Sequence, residues 1–335
     1  VTSTTAISLA DPALNERLTA RMALVEERLR DAVSHADQLA DDASRHLVNA
    51  GGKRLRPLLT LLTAELGDGA RREVVDAATV VELTHLATLY HDDVMDSAPL
   101  RRGAPSAHEV WGNSVAILTG DLLFARASAT VAGLGPDAVR IQAATFERLC
   151  LGQLHETVGP RPGEDPVAHY LQVLADKTAS LVATSARFGA MFAGCRPDVV
   201  RTVTGFGEKI GVAFQLADDV IDLTSDGAVT GKTPGTDLRE GVPTMPALLL
   251  RERAAGPDGT AADRELVAVL DGDLTEDDAL AAAVAALRTH PVVEETRQRA
   301  VALARDAVEE LAPVPAGPVR DALVAFADAL VDRAS

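Results

Sequence analysis

The chain has 335 residues, 47% hydrophobic and 24% charged, which is the make-up of a globular protein with ample material for a core. A formal net charge of −17 argues against nucleic acid as a partner, and 3% aromatic residues argue against base-stacking platforms. No apolar run reaches the about 18 residues of a membrane span, and VTSTTAISLADP lacks the regions of a signal peptide, so the expectation is a cytoplasmic protein with no stable membrane insertion.

Residues 1–10 read as a flexible arm, and 11–335 as one helical domain. Asp11-Pro12 supplies an N-cap and a first helical residue, predicting a helix to about Ser34 and another through Leu47. In GGKRLRP, residues 51–57, the glycines close one helix and Pro57 suits the first turn of the next. Lys53, Arg54 and Arg56 then gather at a helix N-terminus, where positive charge opposes the dipole unless an anion is bound.

The stretch 74–103 reads as a long apolar helix whose last turn carries Asp92, Asp93 and Asp96, followed by a loop with Arg101 and Arg102. Like charges three and four residues apart crowd one side of the helix at its negative end, a poor arrangement for stability. Hard divalent cations such as Mg²⁺ would relieve the repulsion while keeping positions open for phosphate oxygens. Helical periodicity continues over 107–132, 137–158, 165–194 and 198–224, and the last of these ends in a second such cluster, Asp218, Asp219 and Asp222. The turn-rich segment 227–246 follows, holding Lys232, Asp237 and Arg239. Further helices are predicted at 245–256, 262–270, 277–289, 291–312 and 316–333, with a surface loop at 255–262 and no strand anywhere. Cys150 and Cys195 lack metal-ligand spacing and read as structural thiols. The fold class is therefore all-α, a single large bundle of helices, in which the two acidic motifs suggest two halves around one elongated cavity.

Two carboxylate clusters, two arginines after the first, and a separate Lys/Arg cluster make two anion sites, one reached through metal and one through side chains alone. A reaction between two diphosphates, only one of which leaves, would use that asymmetry. In this respect the chain resembles the trans-type polyprenyl diphosphate synthases, through GGKRLRP (51–57), ELTHLATLYHDDVMD (82–96), LRRG (100–103), DKTASL (176–181), FQLADDVID (214–222) and GKTPGTDLREG (231–241). The resemblance covers about residues 45–250 and implies the isoprenoid synthase fold.

It further implies that Asp92, Asp93, Asp96, Asp218, Asp219 and Asp222 hold about three Mg²⁺ ions against an allylic diphosphate. Arg101, Lys177 and Lys232 would contact that diphosphate, while Lys53, Arg56, His85 and Arg102 would hold isopentenyl diphosphate. Thr178 and Gln215 lie where family members stabilise the allylic cation; His91 is left as structural or as a support behind the residues that touch substrate. The implied catalysis is ionisation, condensation and elimination, with Lys177, Thr178, Gln215, Asp92 and Asp218 at its centre and a homodimer as the expected assembly. Val242 departs from the lysine often found there in the family, which puts one auxiliary phosphate contact in doubt.

The product would grow down the helix away from Asp92, past Thr88 and Ala87 and then Thr84, all small. With turns of about 5.4 Å, that open path and the likeness of ELTHLATLYHDD to quinone-tail synthases imply products of about C30 or longer. Ala87 and Thr88 could instead be merely well-packed helix residues, with the floor set by the facing helix near Leu122, Leu123 and Phe124; two alternatives for the function are a geranylgeranyl-length product and a class I terpene cyclase. A cyclase takes one diphosphate and has no need of Lys53 and Arg56.

Overall fold

Asp11 opens the first helix: its carboxylate accepts from the Leu14 N–H at 2.7 Å, and Pro12 occupies the first turn. The structure is a computed structural model, and it describes residues 10–224 and 234–331. Its architecture is all-α. The helices are α1 (Pro12–Ala32), α2 (Gln38–Asn49), α3 (Leu55–Ala64), α4 (Arg72–Met95), α5 (Ala107–Trp111), α6 (Asn113–Ala132), α7 (Pro136–Val158), α8 (Pro166–Leu174), α9 (Ser180–Phe192) and α10 (Pro197–Thr224). They continue with α11 (Thr236–Arg239), α12 (Met245–Ala255), α13 (Ala261–Leu270), α14 (Asp277–Arg288), α15 (Pro291–Glu310) and α16 (Pro318–Val331).

Three local features depart from the sequence reading. Gly112, at φ 82°, breaks the expected helix 107–132 into α5 and α6. The loop after α4 contains a hairpin of two-residue strands, β1 (Leu100–Arg101) and β2 (Ala104–Pro105). Arg102 and Gly103 form its turn, at φ 55° and 79°, the positive pair that a two-residue hairpin of this twist requires. Between α8 and α9 the helix widens into a π turn over Ala175–Ala179, so 165–194 is not uniformly α-helical.

The described residues divide into two compact units. One comprises 10–147, 181–207 and 310–326, and the other 148–180, 208–224, 234–309 and 327–331. In the first, α1 packs on α3 and α4, and α4 packs on α6. Leu14, Leu18, Val25 and Leu29 of α1 have no exposed surface; at about 2 kcal/mol for each fully buried aliphatic side chain, this face alone holds α1 in place. Close crossings are bought by glycine. A Cβ on Gly189 of α9 would collide with the Thr60 carbonyl of α3, and one on Gly120 of α6 with the His91 ring of α4. By length and composition α6 is also, among the described residues, the one helix apolar enough to cross a membrane, although it contains Asp121 and Arg126. In the second unit, α12 packs on α8 and α13, with Met245, Leu249 and Leu250 buried beside Val173 and Leu174 in the same unit's core.

Candidate active site

In the first unit the GGKRLRP segment bends sharply: Gly51 and Gly52 have φ of 80° and 138°, and Arg54 sits left-handed at φ 50°. That conformation costs a non-glycine residue about 1–2 kcal/mol. It is offset by a buried set of contacts in which Arg54 donates to Glu26 at 2.6 Å, to Glu82 at 2.7 Å and to the Val48 carbonyl at 3.1 Å. Arg54 is thus consumed in holding the bend and is no ligand. Its neighbours are differently placed. Lys53 is exposed, while Arg56 is half-buried with its Nε buried and without a hydrogen-bond partner.

Arg102, on the hairpin turn, reaches back to donate to the Leu47 carbonyl at 3.2 Å and to the Gly51 carbonyl. A side chain at Gly52 would displace that guanidinium, which lies 2.7 Å from where a Cβ would stand, and the φ of 138° there is one that side-chain-bearing residues rarely adopt. His85, one turn below on α4, lies in the field of these cations. Burial first, then Arg56, Arg102, Arg101 and Arg54, hold its pKa well below the usual imidazole value, so the ring stays neutral. Burial, opposed by Glu82, likewise lowers Arg56 and Arg102 from the ordinary guanidinium value. Cations assembled at the expense of their own solvation, with the buried carboxylate of Glu82 among them, make a site that an anion completes.

The three aspartates of α4 are not equivalent. Asp92 is half-buried and Asp96, the C-cap, is exposed. Asp93 is fully buried and accepts from Arg101 Nε at 2.6 Å and Nη2 at 2.5 Å, leaving its Oδ2 buried and without a hydrogen-bond partner. Burial raises its pKa and Arg101 opposes the rise. Arg101 is therefore fixed beside the motif by Asp93. His91 accepts no site role here: its Nε2 lies 3.0 Å from the Ile117 carbonyl and 3.4 Å from Asp121 on α6. Of the three proposed chain-length residues, Ala87 and Thr84 have no exposed surface, and Thr84 is tied to the Val80 carbonyl and to Gln142. Thr88 keeps some surface, with its hydroxyl on the His85 carbonyl.

The second unit repeats the inequality at the end of α10. Asp218 and Asp222 are half-buried, whereas Asp219 is buried and held by the Tyr170 hydroxyl at 2.7 and 2.9 Å and by the Met245 N–H at 2.9 Å. Burial pushes the Asp219 carboxyl up to about 8, against those hydrogen bonds. Gln215 is half-buried on the same helix. Lys177 and Thr178 belong to the π turn, where Lys177 pairs with Glu156 of α7 and Thr178 is buried. Val242 donates its N–H to the Asp237 carbonyl at 2.9 Å in the turn after α11. Lys232 lies outside the described residues.

Sequence reasoning passed over Glu82, Glu156 and Tyr170. The signal for Tyr170 was scarcity: the chain has two tyrosines, and both are buried with bonded hydroxyls, Tyr90 on the Ala43 carbonyl and Tyr170 on Asp219.

The donor set suits a hard cation. In the first unit Asp96 is exposed and Asp93 leaves one buried oxygen unused; in the second, Asp218 and Asp222 are half-buried. Among the described residues no three His, Cys, Asp or Glu side chains form a group that could hold a metal ion by themselves.

Residues 37–304 match the family model described as Polyprenyl synthetase. The chain is 44% identical over 328 residues to the nonaprenyl diphosphate synthase of Mycobacterium tuberculosis, spanning 98% of this chain and 96% of that one. Among solved structures it is similar to a polyprenyl synthase from Caulobacter crescentus complexed with calcium and isoprenyl diphosphate (TM-score 0.87, 31% identity, 96% and 97% of the two chains). It is likewise similar to a geranylgeranyl pyrophosphate synthase from Corynebacterium glutamicum with the same ligands (TM-score 0.86, 40% identity, 98% and 99%).

Proposed function

Because the chain belongs to the polyprenyl synthetase family, we propose that it is a trans-prenyltransferase joining isopentenyl diphosphate head-to-tail to an allylic diphosphate, and that its product is a long-chain polyprenyl diphosphate for quinone side chains. The observation that carries the reading is the cluster of Arg56, Arg102 and neutral His85 beside the acidic end of α4, an anion site built from side chains alone. A cyclase, with one diphosphate to bind, has no use for it. The long product is supported by the 44% identity to a nonaprenyl diphosphate synthase. The buried state of Ala87 and Thr84 and the 40% identity to a geranylgeranyl pyrophosphate synthase favour the shorter product as second reading.

In this assignment Lys53, Arg56, His85 and Arg102 hold the diphosphate of isopentenyl diphosphate. Arg101, Lys177 and Lys232 contact the allylic diphosphate. Asp92, Asp96, Asp218 and Asp222 would supply oxygens to Mg²⁺, with Asp93 and Asp219 fixing the two motifs. The metal, when bound, neutralises charge developing on the departing pyrophosphate. Lys177 and Arg101 add fixed positive charge to the same leaving group, and the Thr178 and Gln215 side-chain oxygens face the allylic cation. The double bond of isopentenyl diphosphate then attacks, and the released pyrophosphate takes the proton lost in elimination.

We further assign 11–335 to one catalytic domain, supported by unit boundaries that fall inside α7 and α10 instead of in linkers. The enzyme is assigned to the cytoplasm as a homodimer, the latter supported by Ile117 and Leu118 of α6 and Val139 and Phe146 of α7, all exposed. The test is product analysis by mass spectrometry with Mg²⁺, isopentenyl diphosphate and farnesyl diphosphate. A ladder beyond the geranylgeranyl product is expected. A stop there selects the second reading, and pyrophosphate release without elongation overturns both. Asp92→Ala should abolish turnover while sparing isopentenyl diphosphate binding, and Lys53→Ala should chiefly weaken that binding; equal effects on binding would sink the two-site assignment.

A further inference from the structure

Arg148, Gly152 and Glu156 stand four residues apart on α7 and so share one face. All three meet the π turn. Arg148 donates from Nε to Asp176 Oδ1 at 2.7 Å and from Nη2 to the Ala175 carbonyl at 3.0 Å. Gly152 comes so close that an added Cβ would lie 2.8 Å from Lys177 Cα and 3.0 Å from the Asp176 carbonyl carbon, and closer still to Lys177 N. Glu156 takes the Lys177 ammonium.

A π turn carries one residue more than the α-helix it interrupts, and isolated from other contacts it has no reason to persist in that register. Here the register is set from outside. The Ala175 carbonyl accepts both the Ser180 N–H and Arg148, and the second oxygen of Asp176 accepts from Gln172 at 2.8 Å. Arg148 is itself fixed, through Nη1 and Nη2, to Glu208 of α10 at 3.1 and 2.5 Å. A planar fork bridging two carboxylates and a carbonyl is a geometry that lysine cannot reproduce.

We propose that this face of α7 is a cradle that sets the register of the π turn, with Arg148 and Gly152 as positioning residues that aim Lys177 and Thr178 at the allylic substrate. The inference rests on the prenyltransferase reading. Neither residue touches substrate; each acts through the backbone of 175–178.

The test compares Arg148→Ala, Arg148→Lys, Asp176→Asn and Gly152→Ala with the wild type by steady-state kinetics, thermal unfolding and calorimetric titration with inorganic pyrophosphate in the absence of metal. Misplacing a catalytic group by about 1 Å costs on the order of 100-fold in rate. In each variant kcat should therefore fall by about that factor and KM for the allylic diphosphate should rise, with KM for isopentenyl diphosphate unchanged. Arg148→Lys should recover little of the loss, and Arg148→Ala combined with Asp176→Asn should be no worse than either alone. Wild-type allylic KM and kcat in Arg148→Ala and Gly152→Ala would overturn the proposal. So would a uniform loss that merely tracks unfolding temperature. If Gly152→Ala does not fold, the Arg148 and Asp176 variants decide. A wild type that fails to elongate, combined with pyrophosphate binding weakened in Arg148→Ala, would instead remove the functional reading and leave the cradle in place.

Discussion

Arg54 shows how far a residue's chemistry depends on its neighbours. As a sequence letter it is one of three cations in GGKRLRP; in the fold its side chain is 6% exposed and paired with Glu82, which is 2% exposed. Removing one partner of such a pair strands a buried charge, so Arg54→Ala should lower unfolding free energy by about 3–5 kcal/mol, read by urea denaturation. Asp263 acts in the opposite direction, as a carboxylate made more acidic by folding. It caps α13 through the Thr260 N–H and meets His290 Nε2 at 2.9 Å, and these hydrogen bonds, the backbone one foremost, hold it well below the usual carboxylate range. A depressed folded pKa contributes stability above the unfolded value, and that contribution is lost as pH falls through the folded one. Asp263→Asn should therefore melt below wild type at neutral pH, and the gap should close as pH drops under about 4. A gap independent of pH would remove the ionised carboxylate from the account.

Helix packing carries the next scale. Because a Cβ on Gly189 would enter the Thr60 carbonyl, Gly189→Ala forces α9 off α3. A loss of about 1–3 kcal/mol is expected from overpacking, measured by thermal or urea unfolding. Long periodic helices were legible in the sequence: α1, α7 and α10 begin and end within a few residues of where caps and apolar spacing put them. The hairpin was not, since two-residue strands are too short to show alternation. The π turn was not either, because DKTASL keeps an ordinary helical pattern on both sides of the added residue. At the site, the spacing marked out the two aspartate clusters, but their internal division was hidden. That Asp93 and Asp219 turn inward depends on Arg101, Tyr170 and Met245, and no periodicity links those residues to the motifs.

For the whole molecule, the exposed apolar side chains of α6 and α7 lead to an assembly prediction. Leu118 is 60% exposed and Ile117 42%. If a second copy covers them, sedimentation should give twice the protomer mass, and Leu118→Lys should move the equilibrium toward the monomer, since each charge is introduced twice at a self-complementary face. An unchanged dimer would place the interface elsewhere. The π turn has a consequence of another kind. Each residue of an α-helix advances the chain by about 100°, so the added residue in 175–179 sets the angular phase at which Lys177, Thr178 and Ser180 leave α8. Deleting one residue there would restore an unbroken α-helical ladder and make the segment locally more regular. It would also turn the residues that follow the deletion through most of a third of a circle relative to α8, carrying the Lys177 backbone away from Gly152 of α7. An indel scan should accordingly find this segment intolerant of loss even though shortening improves its own hydrogen bonding, while the turn at 256–258, narrower than the expected loop 255–262 because Thr260 already caps α13, should accept insertions.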